Sequence, residues 1–76
     1  MIEDKRCRAF LKSLGARLRD MRLERGWTLE KTEQEGWPSW RHLQKIENGK
    51  NITVATLYKL AKLYDVPPSD ILRGIS

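Results

Sequence analysis

The sequence predicts an all-α domain of five short helices, and three observations carry that prediction. Apolar residues recur at spacings of three and four, the period of one helix face, and no segment reads convincingly as a strand. Candidate capping residues (Thr28, Ser39, Thr53 and Ser69) stand before periodic segments, and Gly26, Gly36 and Gly49 stand after them. The chain has 76 residues, enough for one domain with a thin core that a partner subunit would help to stabilise.

Residues 1–9 are expected to form an N-terminal arm or an extension of the first helix, and residues 10–76 the domain itself. From Phe10 the apolar side chains fall at 10, 11, 14, 18 and 21, with Glu3 and Asp4 near the possible start and Arg22 and Arg25 near the end, as a helix dipole favours. Gly26 stops this helix. In the following WTLEKTEQEGW, Thr28 can cap a second, short helix by accepting a backbone N–H. That helix should end near Glu35, because Pro38 pushes Trp37 into extended geometry and leaves Gly36 as the natural left-handed residue.

Ser39 caps the third helix. With Leu43 at the centre of its inward face, Ile46 and Glu47 lie within about 60° of that direction, while Arg41, Gln44, Lys45 and Asn48 lie about 100° or more away. One face is core and the other is a polar surface. Asn48-Gly49 ends this helix, Lys50-Asn51 continue a polar loop, and Thr53 opens a fourth helix with apolar positions 54, 57, 60, 61 and 64. Val66-Pro67-Pro68 breaks it, and Ser69 can cap a last turn carrying Ile71 and Leu72.

Composition narrows the function. A chain that is 39% hydrophobic and 33% charged, with net charge +5 and a pI near 9.7, reads as a globular domain attracted to polyanions, nucleic acid first. A basic surface that only meets water is the alternative. Cys7 has no second cysteine to pair with, and one histidine cannot build a metal site with it, so neither metal nor cofactor is expected and the reducing cytoplasm fits best. No apolar run approaches the roughly 20 residues that span a bilayer, and MIEDKRCRAF lacks the apolar stretch of a signal peptide, so no membrane association is expected. No glycine-rich phosphate loop and no Cys-His pair placed for nucleophilic attack is evident, which argues against an enzyme.

Three blocks, LRDMRLERGWT, LQKIENGKN and ATLYKLAKLYDV, stand in an order and spacing that resemble the lambda-type repressor and Cro helix-turn-helix family, the xenobiotic-response-element type. The resemblance covers about residues 10–72 and implies a compact lambda-repressor-like domain. It also implies double-stranded DNA as partner, with helix 39–48 in the major groove and the loop after it gripping phosphates. Such a protein would be a sequence-specific transcriptional regulator, a repressor or a controller of a small operon. The alternative is an antitoxin or adaptor acting through a protein partner such as a toxin. The chain departs from the family in three places: Leu29 where members commonly carry Gln, Glu33 where a small Ala is usual, and Trp37 in place of the turn glycine.

Within that resemblance, Arg41 suits guanine O6 and N7, and Gln44 suits adenine N6 and N7. Lys45 and Trp40 are the further base-contact candidates; Lys45 has phosphate as its alternative, and Trp40 has half-buried packing as the alternative to a thymine methyl. Thr28, Ser39, His42, Asn48, Lys50 and Asn51 are candidates for phosphate, although Thr28 also serves as a cap and Asn48-Gly49 is also how a helix stops. Glu47 is an acid on an inward face and needs a cation; the resemblance matches Arg22 to the arginine that pairs with it. Finally, Tyr64, Val66, Pro67, Pro68, Ile71, Leu72 and Ile75 are more apolar than a short terminal turn requires, so part of this set is expected to join two copies into a homodimer on a palindrome. Covering the small core is their alternative use.

Overall fold

The structure, a computed structural model, describes residues 4–75. Its helices are α1 (Lys5–Glu24), α2 (Leu29–Gln34), α3 (Trp40–Glu47), α4 (Val54–Tyr64) and α5 (Pro68–Leu72). Asp4 caps α1 by accepting the Cys7 N–H at 2.7 Å, so residues 5–9 are helical; Glu3 and the rest of the expected arm, 1–3, lie outside the described residues. Thr28, Ser39 and Thr53 cap the next three helices, accepting from the backbone N–H groups of Lys31, His42 and Thr56.

The first four helices end alike. In each, one residue turns left-handed, and the N–H after it reaches back to the carbonyl five residues earlier: Trp27 to Arg22, Trp37 to Thr32, Lys50 to Lys45 and Val66 to Ala61, all at 2.9–3.2 Å. The left-handed residue is glycine three times and Asp65, with φ 57°, once. Asp is among the few side chains that tolerate this region, so α4 stops one residue before the Val66-Pro67-Pro68 break expected of it. The last helix differs from expectation at its start. Pro67 is its N-cap, without any side-chain hydrogen bond, and Pro68 opens the helix, where a fixed φ and a missing N–H are harmless. Ser69 lies inside α5 and does not cap it.

The core gathers Leu14, Leu18 and Met21 of α1, Trp37, Leu43 and Ile46, Leu60, Ala61 and Tyr64 of α4, and Ile71 of α5. Of the expected stripes, Leu11 is buried but not part of this cluster and Leu57 is half-buried against it, whereas Val54 and Phe10 stay outside. Val54 is 83% exposed because it begins α4, ahead of the half of the helix that meets the core, and Phe10 is only partly covered. Tyr64 and Ile71 correct the expected dimer surface: at 1% and 0% exposed they are core residues of one chain. Tyr64 lies tilted against Trp27 at 5.9 Å and under the Arg25 guanidinium at 5.1 Å, while α5 packs on α1 and α4 and so turns Ile71 inward. Burial pushes the Tyr64 phenol up to about 12. Arg25, expected only to complement a dipole, donates to the carbonyls of Met21 at 2.8 Å and Tyr64 at 2.7 Å, tying the ends of α1 and α4 together.

Two contacts set α3 against α1. The first is steric: a Cβ added to Gly15, in the middle of α1, would stand 2.6 Å from the Ile46 carbonyl oxygen and closer still to that of Glu47. The second is electrostatic. Arg22 forks onto Glu47, Nε to Oε2 at 2.8 Å and Nη2 to Oε1 at 3.0 Å, and its Nη1 donates to the Trp27 carbonyl at 2.9 Å. Both side chains are buried, and the hydrogen bond to Glu47 is the main reason that the Arg22 pKa rises above its ordinary value.

Two predictions follow from these contacts. Arg22→Met and Glu47→Leu should each destabilise the domain by about 3 kcal/mol in chemical denaturation, because each strands a buried charge, and the double variant should lose much less than the sum. Additive losses would mean that the pair is not coupled. Gly15→Ala should lower stability by roughly 2 kcal/mol even though alanine is the better helix former, because neither carbonyl can retreat without shifting α3.

Candidate nucleic-acid interface

α3 is an eight-residue helix whose inner side, Leu43, Ile46 and Glu47, is buried and whose Arg41, Gln44, Lys45 and Asn48 neighbours are exposed. Burial of Glu47 against Arg22 removes the helix's one carboxylate from the outer surface, which is left basic and amide-bearing. Lys50 and Asn51 follow in an exposed loop, held by the turn at Gly49.

The side chains on this surface are partly arranged in advance. The Arg41 guanidinium lies over the Trp40 ring, 4.8 Å from its centroid, so the indole is half-buried and serves as a platform for the arginine. Its use as packing and its exposure to a ligand are therefore compatible. His42 stacks flat on Trp37, with centroids 6.1 Å apart and planes 4° from parallel, and is the one expected phosphate contact whose ring is engaged inside the protein. Ser39 accepts the His42 N–H at 3.3 Å, and its own hydroxyl hydrogen remains available to an acceptor. Thr28 accepts from Lys31 at 3.1 Å in the same manner at the start of α2.

The altered turn between α2 and α3 is built around Gly36, whose φ of 114° lets the chain reverse, and Trp37, which is 6% exposed and fills the space beneath. A buried indole N–H usually finds an acceptor, and Nε1 of Trp37 has none among the described residues. Glu33, in place of a small residue, stays exposed and spans the turn: its Oε2 accepts the Trp40 N–H at 2.7 Å, adding a second cap to α3 beside Ser39. The sequence carried only a faint sign of this contact, an acid seven residues before the first residue of α3.

Arg19 was also missed. It is exposed on α1 and shares a small polar cleft with Leu29, Gln44 and Asn48, which puts another cation at the edge of the α3 surface. The readable signal was its place three residues before Arg22, on a neighbouring part of the same helix side. Among the described residues no group of three or more His, Cys, Asp or Glu is arranged to hold a metal, and no helix is long and apolar enough to cross a membrane.

Comparison with curated protein sequences and with solved structures returns no match. A family model described as helix-turn-helix matches residues 18–71, which include the last part of α1, all of α2 to α4 and most of α5. The match spans the capped α2, the turn and α3 with its exposed basic side, the parts through which DNA-binding transcription regulators of this kind act. The chain belongs to the lambda repressor/Cro-type helix-turn-helix family.

Proposed function

We propose that this chain is a sequence-specific repressor or controller of a small operon, acting in the cytoplasm as a homodimer on a palindromic operator with α3 in the major groove. The observation that carries the reading is the two-sided character of α3: its buried side is locked to α1, so the opposite side, with Arg41, Gln44 and Lys45, is held at a fixed orientation. A helix of about 10–12 Å diameter fits a major groove of about 12 Å. Arg41 is assigned to guanine, Gln44 to adenine, and Lys45 and Trp40 to neighbouring base edges. Thr28, Ser39, His42, Asn48, Lys50 and Asn51 are assigned to the backbone, with Arg19 added to them.

One α3 reads only a few base pairs, too little to define a genomic site, and two related by a twofold axis double the readout. With Tyr64 and Ile71 withdrawn into the core, Val66, Pro67, Pro68, Leu72 and Ile75 remain of the expected dimer surface. Leu72, 39% exposed, lines an almost wholly apolar depression with Phe10, Ile52, Val54 and Leu57, and a second copy covering it would remove this surface from water.

Selection of bound sequences from random duplexes tests the whole reading: it should return a palindrome with half-sites about 10 base pairs apart, centre to centre. No enrichment, or an asymmetric site, would contradict it. Arg41→Ala should weaken the selected site by roughly 1–3 kcal/mol, affect random DNA less, and relax preference at one position. Lys50→Ala should weaken all sequences alike and reduce the salt slope by about one unit. Leu72→Asp should lower affinity for the full palindrome far more than for a half-site and give a monomeric mass in sedimentation; equal losses on both would remove Leu72 from the interface.

A further inference from the structure

Beside α4 the altered turn leaves a groove of ≈ 490 Å³. Trp37 and Pro38 line one side, and Tyr58 and Leu63 of α4 the other. Tyr58 is 56% exposed although large and aromatic, and Leu63 is only partly covered by the core. None of Arg41, Gln44, Lys45, Asn48, Lys50 and Asn51 lines this groove.

Its electrostatics are one-sided. Lys59 and Lys62, three residues apart on α4, stand on its rim, both exposed, and no ion pair reaches either among the described residues. The one acid of the lining, Glu35, is taken by Lys31 at 3.2 Å. Trp37 lines the groove although it is only 6% exposed, so its indole is held rigidly by the core and offers a fixed aromatic wall. Apolar walls and two unpaired ammonium groups together define the occupant.

We propose that this groove docks an acidic segment of a partner protein, with one or two large apolar side chains against Trp37, Pro38, Tyr58 and Leu63 and its carboxylates on Lys59 and Lys62. Aromatic and aliphatic anchors in a groove supply most of the affinity in such contacts, and the charges select the partner. None of Arg41, Gln44, Lys45 and Trp40 lines the groove, so a partner held here leaves the proposed base contacts uncovered; the groove meets the proposed backbone contacts only through Trp37, which stacks on His42. The proposal goes beyond DNA binding and is testable without DNA.

The probe is a synthetic peptide in which Leu and Phe alternate with Asp and Glu, titrated into the full chain and followed by amide and indole N–H resonances. Binding should move the Trp37 indole signal and those of Lys62 and Leu63 and leave Arg41 and Lys45 in place. The paired substitution Lys59→Gln and Lys62→Gln, and separately Tyr58→Ala, should each weaken the peptide roughly tenfold. All three side chains are exposed, so the fold should persist, and the slope of DNA affinity against salt should stay that of the parent chain. Several results would overturn the proposal: no binding of the peptide, equal binding when its Leu and Phe are replaced by Ala, or shifts confined to Arg41 and Lys45, the mark of a polyanion on the α3 surface. Groove signals that move with protein concentration alone would assign the groove to a second copy and overturn it as well.

Discussion

Everything that α3 presents to a ligand depends on how Glu47 is neutralised. A carboxylate on the inner side of a basic helix would cost several kcal/mol if left unpaired, and it would repel phosphate if it swung outward. Arg22 meets it with two parallel hydrogen bonds and uses its third donor on the Trp27 carbonyl, so one guanidinium joins α1, the first turn and α3. A hydrophobic pair of the same volume could fill this space without loss of stability. What the ion pair adds is direction: its planar geometry fixes the rotation of α3 about its own axis, and that rotation decides which side chains face out.

The turn before α3 meets a different constraint with unusual residues. Its left-handed position is Gly36, and the next residue is a tryptophan that must go somewhere. It goes inward, where it packs into the core and stacks on His42, at the expense of an unsatisfied indole donor. Glu33 then recovers some of the lost order by capping α3 from the preceding helix. The start of α3 is thus held by two caps and a stacked ring, so its orientation does not depend on close approach of α2 and α3 backbones at a small residue.

The positive charge of the chain is divided between surfaces. Arg41, Lys45 and Lys50 occupy the α3 side, whereas Lys59 and Lys62 stand on α4 over an apolar groove. Net charge alone treats these groups as one attraction to polyanions. Their surroundings separate them: amides and hydroxyls accompany the first set, as suits a hydrated, polar duplex, and aromatic and aliphatic walls accompany the second, as suits a protein segment.

Helix positions and their faces were legible in the sequence because they rest on local physics. Thr28, Ser39 and Thr53 cap where hydroxyls before periodic segments should, Gly26, Gly36 and Gly49 end helices as left-handed residues should, and the Leu43, Ile46, Glu47 side of α3 follows from helical period alone. The errors arose wherever a neighbour from elsewhere in the chain chooses between two locally equal options. Tyr64 and Ile71 could cover the core or a partner, and only the docking of α5 on α1 and α4 puts them inside. Val54 belongs to the apolar stripe of α4, but its place at the helix tip leaves it 83% exposed at the rim of an apolar depression. The span from Glu33 to Trp40, the tie from Arg25 to Tyr64 and the close approach of Gly15 to α3 join residues on different helices. Periodicity and capping act over one turn and carry no information about such contacts; they are settled when the helices pack.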